Sequence, residues 1–196
     1  MAAQPIKLLG IDTATRICSI GISENQQIKT EFTVDLGLKH SDLVFPLITR
    51  ALGDCGWKLS DLTGIAVDTG PGSFTGIRIG LAAGRTLAQL LAIPLIGVTS
   101  LDIIAAEVSG FIPETNAVVG VLLDALRQDV YYAQYTFNAN KPIRIHSEKP
   151  IQLLNISQLC SLIRQSVTRT RGTFYLAGDG VDLHKSLLAT ISRRVH

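Results

Sequence analysis

The stretch Gly64 to Ala88, GIAVDTGPGSFTGIRIGLAAGRTLA, constrains the fold more than any other part of the chain, because it reads without a gap as strand, turn and helix. Ile65, Ala66 and Val67 make a short apolar run suited to a strand buried on both faces, and Asp68 ends it. Gly70-Pro71-Gly72 then turns the chain, since glycine accepts the positive φ that such turns use and proline restricts its own φ. Ser73 or Thr75 is placed to cap the helix that follows. Gly76, Gly80, Gly84 and Ala88 recur at every fourth position, in one nearly axial row on that helix. Each interior glycine costs about 0.8–1 kcal/mol against alanine, so the row requires a compensating close approach. Two occupants satisfy the requirement, the domain's own sheet or a helix from a partner subunit. We expect the partner helix, seated in a groove along the row.

The 196 residues allow one domain or two small ones, and 46% hydrophobic content is ample for a packed core. A net charge of +2 gives no bulk electrostatic reason to bind nucleic acid or membrane. Arg164, Arg169, Arg171, Arg193 and Arg194 make the C-terminal part mildly basic, which reads as solvated surface. The three cysteines, Cys18, Cys55 and Cys160, are scattered and odd in number, so neither a disulfide framework nor a zinc site is suggested. A reducing cytosol suits them. The N-terminus lacks the uninterrupted apolar core of a signal peptide, because Asp12 falls within it, and the run Leu90 to Val98 is too short to span a bilayer. A cytoplasmic location without membrane contact is expected.

Two segments share a pattern. Lys7 to Ser23 reads as strand, turn at Asp12-Thr13, then strand; Ala117 to Tyr135 reads as strand, turn at Asp124-Ala125, then strand. Asp124 follows Asp12 by 112 residues, and Asp179, after the apolar run ending Leu176-Ala177, follows Asp68 by 111. Two matches at nearly one offset argue for duplication. The fold class is therefore α/β, with two lobes that each carry a mixed sheet flanked by helices. The first lobe is expected over residues 1–110 and the second over 111–196, divided where Gly110 and Pro113 interrupt the pattern between Ser109 and Asn116. In the first, a helix spans His40 to Leu52 with Ser41 as its cap, Asp42 in its first turn and a bend at Pro46. In the second, a hairpin covers 117–137, a helix about 157–166 and a strand 173–177, before a terminal helix.

Such a duplicated fold resembles the actin-like ATPase (RNase H-like) superfamily, in which ATP sits between the lobes. More specifically, LGIDTATRICSIGI at 9–22, HSDLVFPLI at 40–48, the segment from Asp68 to Ala105 and LLDALRQDVYYAQY at 122–135 resemble the TsaB (YeaZ) family of tRNA threonylcarbamoyladenosine biosynthesis. The likeness covers most of the first 135 residues and thins beyond Pro150, so an abbreviated second lobe is expected. The resemblance implies a non-catalytic subunit that forms a heterodimer with its catalytic homologue TsaD, acts with the ATPase TsaE, reaches tRNA indirectly, and self-associates as a homodimer when isolated.

That resemblance assigns the partner interface to the helices at 41–52 and 73–91, through Leu43, Leu47, Phe74, Ile77, Gly80, Leu81, Gly84 and Ala88. Where the catalytic relatives hold a metal with two histidines at i and i+4, this chain has Ser100 and Ile104. Isoleucine cannot ligate and serine does so poorly, so no metal and no other cofactor is expected. His40, His146, His184 and His196 show no ligand spacing. Phosphate-cradling hairpins use glycines to bring backbone amides to the anion, and neither 12–16 nor 124–129 contains one. Weak nucleotide binding through Asp12, Thr13, Gly178 and Gly180 remains open, with a small ATP-binding, kinase-like enzyme as the alternative function and a metallopeptidase, the peptidase M22-like label of relatives, as the weakest.

Overall fold

The computed structural model describes residues 4–35, 40–112, 117–137, 146–147, 151–169 and 173–188. Arg171, Arg193, Arg194, His196 and the side chains of His40 and His146 lie outside the described residues. Mixed α/β structure surrounds two sheets, and the chain divides into compact units at Ser100/Leu101. That division falls after the first residue of the helix Ser100–Ser109, whereas the expected boundary followed the helix; Leu101 and Ala105 pack with Val119, Val121 and Tyr135, which ties the rest of the helix to the second unit.

The first unit orders its strands β3-β2-β1-β4-β5. These are β1 Lys7–Asp12, β2 Ile17–Glu24, β3 Gln27–Asp35, β4 Gly64–Asp68 and β5 Leu95–Val98. β1 runs antiparallel to β2, β2 to β3, while β4 lies parallel to β1 and β5 parallel to β4. Register aligns Ile22, Leu9 and Ile65 in one row across the sheet and Ile20, Ile11 and Val67 in the next. All six are buried on the face covered by α1 (His40–Asp54) and α2 (Phe74–Leu91). Side-chain alternation places them there, and each contributes about 1.5–3 kcal/mol by leaving water. α1 adds Val44, Ile48 and Ala51 from helically spaced positions, with Pro46 inside it. Its expected cap is replaced by a different contact: Ser41 lies within the helix and its hydroxyl donates to Asp42 Oδ1 at 3.1 Å.

The second unit orders β10-β6-β7, with β8 and β9 on successive stretches of β7. Its strands are β6 Val118–Asp124, β7 Asp129–Thr136, β8 His146–Ser147, β9 Gln152–Asn155 and β10 Phe174–Ala177. β6 and β7 form the hairpin, β9 is antiparallel to β7, and β10 is parallel to β6. β6 is central and covered on both faces. Val118 and Leu122 pack toward α4 (Ile156–Arg169) through Leu159 and Ile163, and Val119, Val121 and Leu123 toward α3 (Ser100–Ser109). The buried Tyr135 ring keeps its hydroxyl satisfied by donating to Asp102 Oδ1 on α3 at 2.9 Å. α5 (Asp179–Leu183) and α6 (Lys185–Leu188) close the described chain.

Candidate functional site

The hairpin turn of the first unit is built around Asp12 and Thr13. Asp12 follows the last core residue of β1, and its Oδ1 accepts the Ala14 amide at 3.0 Å, closing the turn on itself. Thr13 is 1% exposed and donates its hydroxyl to the Gly76 carbonyl of α2 at 2.8 Å. The Ala14 carbonyl in turn accepts the Ser73 amide at 2.6 Å. Ser73 caps α2 by accepting the Gly76 amide at 3.2 Å, so of the two candidate caps it is the serine that acts. The start of α2 is thus fastened to the Asp12 turn by reciprocal bonds, and these amides are already occupied.

The glycine row explains how the helix comes so close, and it corrects the expected groove. A Cβ on Gly76 would overlap the Thr13 carbonyl oxygen, one on Gly80 would reach 2.5 Å from Thr13 Oγ1, and one on Gly84 would overlap Val67 Cγ1. Ala88, 7% exposed, belongs to the same core. The row faces the unit's own sheet, so Gly80, Gly84 and Ala88 lie behind the helix rather than on an outward surface. Of the other residues assigned to a partner surface, Phe74 is 74% exposed, while Leu43, Leu47, Ile77 and Leu81 are half-buried. Phe45, 48% exposed on α1, was not singled out by sequence reasoning; its position beside Pro46 outside the core spacing was the available signal.

Asp68 and Ser100 form a second polar centre within the first unit, unforeseen in the sequence. Asp68 is 3% exposed at the end of β4 and accepts the Gly70 amide at 2.7 Å. The Ser100 hydroxyl lies 2.8 and 2.7 Å from its two carboxylate oxygens, and the Ser100 amide donates to the Gly70 carbonyl at 3.0 Å. Ser100 therefore anchors the β4 turn. Ile104 is half-buried against the core of the second unit. Among the described residues no group of three or more His, Cys, Asp or Glu is arranged to hold a metal ion. Also among them, no helix is long and apolar enough to cross a membrane. Cys18, buried on β2 in the core of the first unit, has its thiol pKa raised by burial and by the nearby Asp12 carboxylate.

In the second unit Asp124 Oδ1 accepts the Leu126 amide at 3.0 Å, repeating the Asp12 geometry. Leu126, Arg127 and Gln128 then all adopt positive φ, at 67°, 54° and 71°. Asp179 Oδ1 accepts the Asp124 amide at 2.9 Å and fastens β10 to this turn. Gly178 has φ 101°, and a Cβ there would overlap the Leu122 carbonyl oxygen; one on Gly180 would stand 3.0 Å from Leu122 Cβ. The structure thus places Asp12 and Thr13 in the first unit and Gly178 and Gly180 in the second, each held by packing within its own unit.

A family model described as TsaD: tRNA N6-adenosine threonylcarbamoyltransferase matches residues 36–189. The chain is similar to the tRNA threonylcarbamoyladenosine biosynthesis protein TsaB of Bacillus subtilis (strain 168), 29% identical over 184 residues that cover 94% of this chain and 76% of that protein. It is 32% identical to TsaB of Escherichia coli (strain K12) over 137 residues, covering 69% of this chain and 57% of the relative. Among solved structures, an uncharacterized Pseudomonas aeruginosa protein with similarity to peptidase YEAZ superposes with a TM-score of 0.77 at 23% identity, covering 92% of this chain and 79% of that one. ROK hexokinase from Thermus thermophilus superposes at 0.54 with 12% identity, covering 96% and 89%. These likenesses establish the fold.

Proposed function

We propose that this chain, which belongs to the TsaB (YeaZ) family and carries the TsaD-type domain, is a non-catalytic subunit of the tRNA N6-threonylcarbamoyladenosine machinery that pairs with TsaD. The observation that carries the non-catalytic part is the closure of the Asp12 turn. A nucleotide phosphate would need free backbone amides there, and those of Ala14, Ser73 and Gly76 are bonded within the unit. Ser100, at a position where the catalytic homologue is expected to carry a histidine, is engaged with Asp68.

The docking face in this reading is the outward side of α1 and α2, where Phe45 and Phe74 stand exposed above the half-buried Leu43, Leu47, Ile77 and Leu81. TsaE and tRNA join the assembly formed around that pair. The alike sheet topologies, each a hairpin with a third antiparallel strand on one side and a parallel strand on the other, support a duplicated actin-like origin of the two units. Co-expression with TsaD of the same organism followed by size exclusion tests the reading. A stable one-to-one complex is expected, with no nucleotide turnover by the chain alone. Separate elution of the two proteins, or turnover that an Asp12→Ala variant abolishes, would contradict it.

A further inference from the structure

We infer that the outward stripe of α2 selects a partner helix bearing carboxylates in preference to a second copy of this chain. The inference rests on the reading of the α1–α2 face as the docking surface. Arg78 and Arg85 are seven residues apart, so both project from one side of α2, opposite the buried row of Gly76, Gly80 and Gly84. Both are exposed. The Arg78 guanidinium lies 5.2 Å from the centroid of the exposed Phe74 ring, so cation and apolar surface are presented together. Neither arginine is ion-paired within the described residues, where the bridges are Arg16–Asp35 and Lys29–Glu24. Nor does α2 contain a single Asp or Glu from Phe74 to Leu91.

A cationic stripe without acids on its own helix, beside the exposed Phe74 ring, has a definite consequence for pairing. In a closed twofold dimer the same patch meets itself, and arginines of one α2 approach those of the other. The acids of α1, Asp42 and Asp54, sit in its first turn and at its last residue rather than along its middle. Like charges across an interface suppress such a pairing, whereas Asp or Glu at a seven-residue spacing on a foreign helix would meet both arginines. Water excluded by the rings strengthens those contacts. Aromatic side chains with arginine are also the composition of a protein–protein interface core.

The test measures the dissociation constant for full-length TsaD of the same organism by calorimetry at low and high salt, and self-association by sedimentation. Arg78→Glu/Arg85→Glu is expected to weaken TsaD binding by about tenfold or more while circular dichroism stays native. Arg78→Lys/Arg85→Lys should retain most of the affinity. A mixture of the wild type and the doubly reversed variant should associate more tightly than either alone, since each then supplies the other's counter-charge. Phe45→Ala/Phe74→Ala separates the two levels. If it weakens TsaD binding while the charge reversal does not, the docking face stands and the charge selection is wrong. If neither weakens it, the docking reading itself fails. Loss of tRNA binding with protein pairing unchanged would assign the arginines to phosphate and overturn the inference as well.

Discussion

The two hairpin turns start alike and are backed differently. At Asp12 the turn lies under α2, whose glycines fit around Thr13 and whose cap residue donates to Ala14. At Asp124 the turn is held by its own bonds, by Asp179 and by the Ile156 amide at the start of α4, which donates to the Gln128 carbonyl at 3.0 Å, while Leu126, Arg127 and Gln128 run exposed through positive φ. One aspartate motif therefore supports two solutions. The first turn, with the glycines of α2 packed against Thr13, keeps ordinary backbone angles at all its residues, and the second, tied from outside only by hydrogen bonds at its ends, carries exposed left-handed residues that are not glycine.

The widest separation between the turns comes from their glycines. Gly178→Ala is expected to cost about 3 kcal/mol or more, because it combines an unfavourable φ with overlap of the Leu122 carbonyl, and Gly76→Ala about 2–3 kcal/mol from overlap alone. Gly21→Ala, which would meet nothing within 4 Å, should stay within about 1 kcal/mol. Thermal melts of the three decide it, and an unchanged midpoint for Gly76→Ala would mean that α2 does not seal the first turn. A smaller contrast is expected from the polar ties: Thr13→Val loses the buried bond to Gly76, at about 1–2 kcal/mol, and Asp179→Ala the more exposed bond to Asp124, at about 0.5–1.5 kcal/mol. Chemical denaturation would show a larger loss for Asp179→Ala if the second turn were the more tightly backed.

Relief of the left-handed run should act in the opposite direction. Arg127→Gly is expected to raise stability by about 0.5–1 kcal/mol, the gain from unstrained backbone less the added entropy of the unfolded chain. A loss there would show that the turn's side chains carry packing the exposed surface does not suggest. The smallest effect concerns Cys18. With its thiol pKa raised in the folded state, its contribution to stability is full below the ordinary thiol range and is lost as pH rises through that range toward the raised value. Because Cys18 is buried while Cys55 and Cys160 are half-buried, native alkylation should label the latter two well ahead of Cys18. Equal labelling would show that the first sheet opens readily.

Legibility followed the same divide. β1, β2, β4 and α2 were plain in the sequence because alternation and the four-residue spacing leave strong periodic marks, and the β6–β7 hairpin was found by its likeness to the first. The row's existence was visible; its direction was misread. Arg78, Arg85 and Gln89 lie opposite the glycines, and that polar side was the signal that the row faces inward. β9 was missed because Gln152–Asn155 is four residues long without alternation, and α3 because its apolar positions belong to a core formed by the second sheet. The Asp68–Ser100 tie joins residues 32 positions apart, and only the β4–β5 pairing brings them together. No local spacing marks the positive φ of Leu126, Arg127 and Gln128, since propensity assigns such angles to glycine or asparagine.

In the proposed function α2 holds its own sheet with one side and offers the other to TsaD. Gly84→Leu places bulk against Val67 and Leu95, on the inward side. The most direct measurement is the TsaD dissociation constant of the folded fraction of this variant, taken together with its thermal midpoint. A lowered midpoint with the dissociation constant unchanged is the predicted result. A dissociation constant weakened several-fold at an unchanged midpoint would contradict it, returning the glycine row to the interface.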